Sequence, residues 1–300
     1  MDRRDGSLWV SDRRFQRVYH VTSPGDILSS FCGLESDPDS LNPSGVAFDA
    51  GHFADLGAAE GFAALSLDGA KFKLEDRSLI DGDAGIARRG EQHFDRSVIT
   101  GRLVLDPNVA RLDSKDMLIG EEIEADLQPA VKAVRSLAAD AALLPATGSI
   151  PEIKDTFVID GTPGLNVIDV KKVELKGETL TLRGDAGSEF VFRVAEKVKL
   201  EEAAAIVLEG GLKPERVLFL ALDGDVEVKS DSRAAGIYVS LRGRTKVEGR
   251  GVVVGAVISG EEVEIRARGR VIADLPRAEV IDLGAADGFA ALSLDHAVFK

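Results

Sequence analysis

From residue 164 onward, apolar and polar side chains alternate in short runs that end at turn residues. Gly164–Val170, Val173–Gly177, Thr179–Gly184 and Glu189–Val194 open the series. It continues through Val198–Leu200, Ala205–Leu208, Val217–Leu220, Val226–Val228, Gly236–Ser240, Val252–Ile258 and Val263–Ile265. A period of two with glycine or charged corners predicts half-buried strands. Strands this short and evenly spaced build a sandwich or a solenoid. Inward positions of Val, Ile, Leu and Ala against outward Lys, Glu, Arg and Thr favour stacked coils around one interior column.

Upstream, Ser78–Ala87 and Ser97–Leu105 read as the first coils of the same stack. Between Lys115 and Leu144 the period becomes helical, because Ile119, Ile123, Leu127, Ala130, Val131, Val134, Ala138 and Ala141 fall three or four apart. Asp113 or Ser114 is the predicted cap and Pro145 the stop. Pro129 inside this stretch predicts a kink or two helices meeting. Near the N-terminus, Asp5–Asp12 reads as a turn followed by a strand, and Gln16–Val21 and Ile27–Phe31 as two more, with Pro24-Gly25 as a turn between them. The expected fold is mainly β: a β-solenoid (β-helix) with one long accompanying helix, plus a small N-terminal β-meander.

The chain also repeats itself. Residues 55–73, DLGAAEGFAALSLDGAKFK, return as DLGAADGFAALSLDHAVFK at 282–300, differing only at Glu60/Asp287, Gly69/His296 and Lys71/Val298. Self-similarity of this quality predicts a tandem array. It divides the chain into a meander at 1–49, a solenoid at 50–277 and the start of a second, truncated copy at 278–300. Phe62 and Phe289, inside the repeated phrase, are expected to plug the end of a solenoid.

Composition narrows the partners. The 300 residues carry 51 acidic against 37 basic side chains, a net charge of -14, which disfavours nucleic acid and anionic lipid. No run approaches the roughly 20 apolar residues of a membrane-spanning helix, so no membrane insertion is expected in this segment. The start has no apolar signal-peptide core. A single cysteine, Cys32, excludes an intrachain disulfide and a cysteine-rich metal cluster. It is expected to pack as a small apolar residue.

Enzyme chemistry lacks its first elements. His20, His52, His93 and His296 are scattered without metal-binding spacing, and no nucleophile elbow, phosphate-binding loop or dinucleotide fingerprint occurs. Carboxylates on adjacent coils serve as acid, base or calcium ligands in some β-helix enzymes, which makes Asp81-Gly82-Asp83 and Asp223-Gly224-Asp225 the candidates to weigh. The reading preferred for both is a solvated turn in which Gly supplies positive φ. Glu201-Glu202 and Glu261-Glu262 read as corners, Arg266–Arg270 as a basic outward strand, and Tyr238 as half-packed with its hydroxyl in water. No catalytic, cofactor or metal residue is expected, and the ligand-binding residues are not identified.

Several phrases in order carry a family resemblance: DLGAAEGFAALSL, ALLPATG, GLNVIDV, FVFRV, IVLEGGLKPERVLFLAL, GIYVS and GVVVGAVISGEEVEI. Over about residues 53–275 the chain resembles the choice-of-anchor A domain. Residues 1–49 resemble one blade of an NHL or SMP-30-like propeller, with a three-stranded cap on the solenoid as the alternative. The resemblance implies a secreted or cell-surface bacterial adhesin-like module, non-catalytic and without cofactor. Its implied partner is an extracellular matrix protein or surface polysaccharide, collagen binding having been attributed to some members. A passive stalk or spacer is the alternative function.

The architecture is also similar to ice-binding-like proteins. Ice recognition asks for a repetitive, weakly charged face, commonly of Thr or Ala columns. The outward positions identified from the sequence are instead Lys171, Lys172, Glu174, Lys176, Arg183, Lys197, Lys199, Glu227, Lys229, Arg242, Arg244, Lys246, Glu262, Glu264, Arg266 and Arg268. Ice binding is therefore ranked below both adhesion and the passive stalk, together with a carbohydrate-active β-helix.

Overall fold

The computed structural model describes residues 8–12, 17–21, 27–32, 53 and 56–273. The proposed second copy at 278–300, with Phe289 and His296, lies outside the described residues, as do His52 and much of segment 1–49. Strands β1 (Leu8–Asp12), β2 (Arg17–Val21) and β3 (Ile27–Cys32) form an antiparallel three-stranded sheet. That is the meander read from the alternation.

All other strands join one parallel, 22-stranded right-through ladder wound as a three-sided solenoid. Its first coil is β4 (Phe62–Ser66), β5 (Lys71–Leu74) and β6 (Leu79–Asp81). Next come β7 (Asp83–Ile86), β8 (Glu91–Asp95) and the long β9 (Val98–Leu105), which finishes one coil and begins another. β10 (Ala110–Lys115) and β11 (Leu118–Glu124) follow, then helix α1 (Gln128–Leu143). Beyond the helix run β12 (Gly148–Ile153), β13 (Phe157–Asp160), β14 (Gly164–Lys176) and β15 (Thr179–Arg183). Then come β16 (Ser188–Val194), β17 (Val198–Glu201), β18 (Ala205–Glu209) and β19 (Val217–Ala221). β20 (Val226–Val228), β21 (Arg233–Ser240), β22 (Arg244–Val247), β23 (Val252–Ser259), β24 (Glu262–Ile265) and β25 (Arg270–Ile272) complete the stack.

The coils are not stacked in chain order. The last coil pairs with the first, Val257 opposite Ala64, Val263 opposite Phe72 and Val271 opposite Ile80. One side of the solenoid, face a, therefore reads β12, β14, β16, β19, β21, β23, β4, β7, β9, β11. Nine steps at ~4.8 Å separate its ends, roughly 43 Å. The helix returns the chain along that length. Its 16 residues advance about 24 Å at 1.5 Å each, and the flanking segments 125–127 and 144–147 carry the chain over the remainder.

Face a is buried on both sides. Inward residues join the interior column, while Leu65, Val104, Val191, Leu218, Val239 and Ile258 pack outward against Val131, Val134, Leu137 and Ala138 of α1. This explains continuous apolar runs such as Val217–Ala221, which are buried at every position. Phe62 belongs to this cluster under the helix. It plugs no end, because the coil it starts is sandwiched between two others.

The helix is shorter than its periodicity suggested. Residues 118–124 pair in parallel with β9, so the apparent helical spacing of Ile119 and Ile123 arises from a strand with a register shift. Pro129 sits in the first turn of α1, where its missing N–H is not needed, and no kink results. Neither Asp113 nor Ser114 caps the helix; Asp126 Oδ1 accepts from the Gln128 N–H at 3.0 Å. Pro145 follows the end as expected.

Inside the column, rings stack at the spacing of the coils. Phe192 and Phe219 have centroids 4.6 Å apart, and Phe219 and Tyr238 5.0 Å, all nearly parallel. Tyr238 is fully buried rather than half-wet, and its hydroxyl donates to the Ala235 carbonyl at 3.2 Å. Burial pushes its phenol well above the usual tyrosine value.

Candidate binding face

Among the described residues nothing covers the other two sides of the solenoid, faces b and c, and their chemistry differs sharply. Face b carries β5, β8, β10, the second half of β14, β17, β20, β22 and β24. Along its central column the outward residues are Glu174, Lys199, Glu227, Lys246, Glu264 and Lys73, each opposite the next. Acid and base alternate at every step. The flanking column continues the pattern, with Asp225 accepting hydrogen bonds from Arg244 and Arg244 opposite Glu262.

Ion pairs tie this lattice together. Lys172 and Lys197 lie 2.9 and 3.0 Å from Glu174, Lys246 2.8 Å from Glu264, and Lys73 2.6 Å from Glu262. Hydrogen bonds from Lys172 first and Lys197 second hold the Glu174 carboxyl down at about 2. Glu264 is so enclosed by its neighbours that its side chain is only 6% exposed. Such groups keep their bonds to one another and to liquid water, and a regular partner surface gains little by displacing either.

Face c is built from β13, β15, β18, the first halves of β21 and β23, β25, β6 and the starts of β9 and β11. Leu180, Ile206, Ala234, Val253, Val271, Ile80 and Ile99 point into the interior. Alternation then turns their neighbours out. One outward column runs Thr179, Ala205, Arg233, Val252, Arg270, Leu79, Val98, Leu118. The second contains Val158, Thr181, Val207, Ala235, Val254, Ile272 and Asp81. Only Arg233, Arg270 and Asp81 carry charge in these columns. Leu118 is 69% exposed, Val158 41% and Val207 39%.

Glycines let face c turn directly into face a. Gly255, at φ +129°, leaves room for the Gly236 carbonyl: a Cβ there would lie 2.2 Å from that oxygen. β21 and β23 consequently run unbroken through the corner. The opposite corner, between faces b and c, is a two-residue left-handed turn, as at Glu202-Ala203 and Ala267-Arg268. Glu201-Glu202 is thus a corner. Glu262, however, faces outward within β24 and bonds Lys73, and Arg266–Arg270 contains a turn rather than a continuous strand.

Both Asp-Gly-Asp sequences are tied to the neighbouring coil. Asp83 accepts from the Arg102 backbone N–H at 2.7 Å and from its guanidinium at 2.6 and 2.9 Å. Asp225 holds Arg244 in the same manner, and Asp223 holds Arg242. Asp81 accepts from Thr100 Oγ1 at 2.7 Å. Gly82 adopts positive φ as expected. Gly224 does not and is required by space instead, a Cβ there falling 1.7 Å from the Glu196 carbonyl oxygen. Among the described residues no group of three or more His, Cys, Asp or Glu side chains is placed to hold a metal ion.

A shallow groove of about 480 Å³ lies where α1 ends, between Ile150, Val170, Val194, Leu220 and Leu222, with Arg193 at its rim. Of the sixteen outward residues named from the sequence, nearly all lie on face b or its corners, with Arg183 at the edge of face c paired to Glu209 at 2.7 Å. Face c went unrecognised because its Val, Leu and Ala look like core. The signal was present in Val252-Val253-Val254: in a strand, three consecutive valines cannot all point inward.

No family model matches the chain, and none of the curated proteins does. Solved structures do. The ice-binding protein from the Antarctic ascomycete Antarctomyces psychrotrophicus superimposes with a TM-score of 0.52 at 22% identity, covering 73% of this chain and 97% of that one. An ice-binding protein from an Antarctic Flavobacteriaceae bacterium gives 0.53 at 16% identity, covering 73% of this chain and 48% of that one. The DUF3494 domain of Shewanella frigidimarina ice-binding protein_1 gives 0.50 at 18%, covering 73% and 96%. At these identities the likeness establishes the fold, a β-solenoid with one accompanying helix. It gives no support to the resemblance to a choice-of-anchor A domain or to a propeller blade; the fold is instead the one shared with the ice-binding proteins, to which the sequence pointed only as a more distant similarity.

Proposed function

We propose that this protein binds ice through face c, and that its function is adsorption to a crystal surface rather than adhesion to a matrix protein or catalysis. The observation that carries the reading is the contrast between the open faces. Face b is an ion-pair lattice, whereas face c offers columns of Thr, Ala, Val, Ile and Leu repeated at the ~4.8 Å spacing of a parallel stack. Apolar side chains cannot hydrogen-bond water and impose order on the layer above them, and isolated Thr hydroxyls anchor that layer without the tight hydration of a charge. An exposed apolar surface this extended marks an interaction site. The fold it sits on is shared with proteins described as ice-binding. Such a role places the protein outside the cell, where ice grows.

Thermal hysteresis and ice-crystal shaping test the proposal, measured on the parent chain and on Ala235→Lys and Val254→Lys, which place charges on adjacent coils at the centre of face c. Lys199→Gln on face b serves as the control. Loss of hysteresis in both face-c variants, with the control unchanged, is expected. A parent that neither shapes ice nor lowers the freezing point, or face-c variants that act like the parent, would sink it.

A further inference from the structure

The left-handed turns between faces b and c stack on one another. The Arg250 N–H donates to the Ala267 carbonyl, the Arg268 N–H to Asp76 and the Arg77 N–H to Arg96, at 2.8 to 3.1 Å. Successive coils therefore present Arg250, Arg268, Arg77 and Arg96 along one edge, at a spacing of ~4.8 Å per coil. All four are exposed. Two more exposed arginines, Arg233 and Arg270, stand beside that edge in the first outward column of face c, each one coil from Val252.

The fold does not ask for arginine here. Arg77, Arg250 and Arg268 have φ of +62°, +66° and +65°, a left-handed backbone that Gly, Asn or Asp adopts with less strain. Ion pairs do not explain the row either. Arg250 is held by Asp231, and Arg96 by Asp95 and Asp76. Among the described residues, however, Arg77, Arg233, Arg268 and Arg270 make no ion pair and no side-chain hydrogen bond. Arg102, Arg183, Arg242, Arg244 and Arg266 by contrast each grip a carboxylate. In a chain of net charge -14, four unpartnered guanidiniums gathered within four coils form a cationic surface that the fold itself does not use. A groove of about 350 Å³ runs along the same edge, over Ser230, Gly249, Ala267 and Asp76, the first residues of the same turns, with Lys229, Glu248 and Arg266 lining it from face b. The small side chains at 230, 249 and 267 keep it open.

We propose that this edge binds a polyuronate, a sugar chain with one carboxylate on each ring, lying along the solenoid axis. Each free guanidinium offers a planar fork that matches a carboxylate. One coil is about as long as one sugar ring, so the charges of the row and of the sugar chain keep step. On the groove side, ring hydroxyls meet Glu248 and Asp76 as acceptors and Lys229 as a donor. On the other side, the apolar C–H faces of the rings meet the half-buried Val252 and Leu79. The protein's net charge repels any polyanion at long range, but at physiological salt the Debye length is only ~8 Å, and a single narrow chain stays within that distance of the row. A nucleic-acid duplex or a bilayer is broader and meets the exposed Glu202 and Asp116, which occupy the same turn beyond the two ends of the row. The inference does not rest on what the remainder of face c binds.

The test uses the full chain and sodium alginate, with binding measured by calorimetry above freezing and circular dichroism confirming that each variant is folded. Arg77→Gln with Arg268→Gln removes two free charges from the row. Arg183→Gln with Arg242→Gln removes the same charge elsewhere on the surface and is the control. The parent should bind alginate and not neutral dextran, with affinity that falls as salt is added. The row variant should bind about tenfold more weakly, the scale of two exposed ion pairs, and the control should bind like the parent. A parent that does not bind alginate, a row variant that binds like the parent, or a control that loses as much as the row variant overturns the proposal. So does equal affinity of the parent for duplex DNA or for phosphatidylglycerol vesicles, because the row would then read charge alone and not a sugar chain.

Discussion

Arg193 grips Asp169 with two parallel hydrogen bonds, Nε to Oδ1 at 2.6 Å and Nη2 to Oδ2 at 2.9 Å, on adjacent coils of face a. The third nitrogen of the same guanidinium donates to the carbonyls of Ala141, Ala142 and Leu144. The end of a helix leaves its last carbonyls short of intrahelical donors; here Ala141 also accepts from the Leu144 N–H at 3.4 Å, and the guanidinium serves all three carbonyls. One side chain thus fixes the point where the helix, having carried the chain along the stack, hands it back to the sheet. Arg193→Ala should lower stability by roughly 2 kcal/mol, the scale of hydrogen bonds from a charged donor, and Arg193→Lys should recover little, since an ammonium lacks the fork geometry. Urea unfolding with unchanged slope and a lower midpoint is the expected result. An unchanged midpoint would mean that the helix end is held by packing alone.

The ring ladder gives a second prediction. Phe219 lies between Phe192 and Tyr238, stacked on both, and is completely buried. Phe219→Ala leaves a ring-sized void in a column that cannot collapse, because hydrogen-bonded coils hold its walls at fixed spacing. A loss of about 3–5 kcal/mol is expected. Tyr238→Phe keeps the stack and removes one hydroxyl together with its single partner, so its midpoint should move much less. If the two variants melted alike, the stacked ring would contribute no more than the hydroxyl.

How much of this was legible in the sequence depends on which face a residue occupies. Strands from Gly164 onward were readable because face b alternates apolar inside with charge outside, as at Val226-Glu227-Val228. Face a defeats that rule. Val217–Ala221 is apolar throughout because a helix covers its outer side, and no local pattern says what lies above a strand. Face c defeats it differently, since Val207, Leu79 and Val98 are apolar and point outward. Nor could the order of coils be read, because the pairing of Val263 with Phe72 joins residues 191 positions apart. The strands β12 and β13 were missed for a related reason: they edge the stack, where Pro151 and exposed Phe157 break the alternation.

The charge lattice predicts a pH profile. Glu174 and Glu152 are held below the usual carboxylate range, each chiefly by hydrogen bonds from Lys172. Their contribution is present above the ordinary carboxylate value and is lost as pH falls toward about 2 for Glu174. Lys172 and Lys73 are shifted upward, Lys172 by Glu152 and Glu174 and Lys73 chiefly by Glu262. Their contribution is present below the ordinary lysine value and is lost as pH rises through the raised one. Melting temperature should therefore be level between about pH 5 and pH 10 and fall on both sides. These groups are partly exposed, so salt should shrink both limbs. Lys172→Gln should flatten the acid limb, and an acid limb of unaltered depth would show that Glu174 draws its stabilisation elsewhere.

The corner at Gly255 joins the proposed ice-binding face to the helix-covered one, and a single methyl tests it. Its φ of +129° is one that L side chains rarely adopt, and a Cβ would stand 2.2 Å from the Gly236 carbonyl oxygen, which is backbone and cannot swing away. Gly255→Ala must either push the coils apart or bend the strand that carries Val254 on face c and Val257 in the interior. Gly148, by contrast, has ordinary φ, and its nearest neighbour to a new Cβ is 4.0 Å away. Gly148→Ala should be nearly neutral, while Gly255→Ala should cost more than the ~1 kcal/mol typical of a point mutation. If face c binds ice, Gly255→Ala should also lose hysteresis at temperatures where circular dichroism shows the chain still folded, because the outward columns on either side of the corner no longer share one spacing. Retention of full hysteresis in a folded Gly255→Ala protein would place the ice contact away from this part of the face, toward Thr179 and Thr181 or toward Leu79 and Val98.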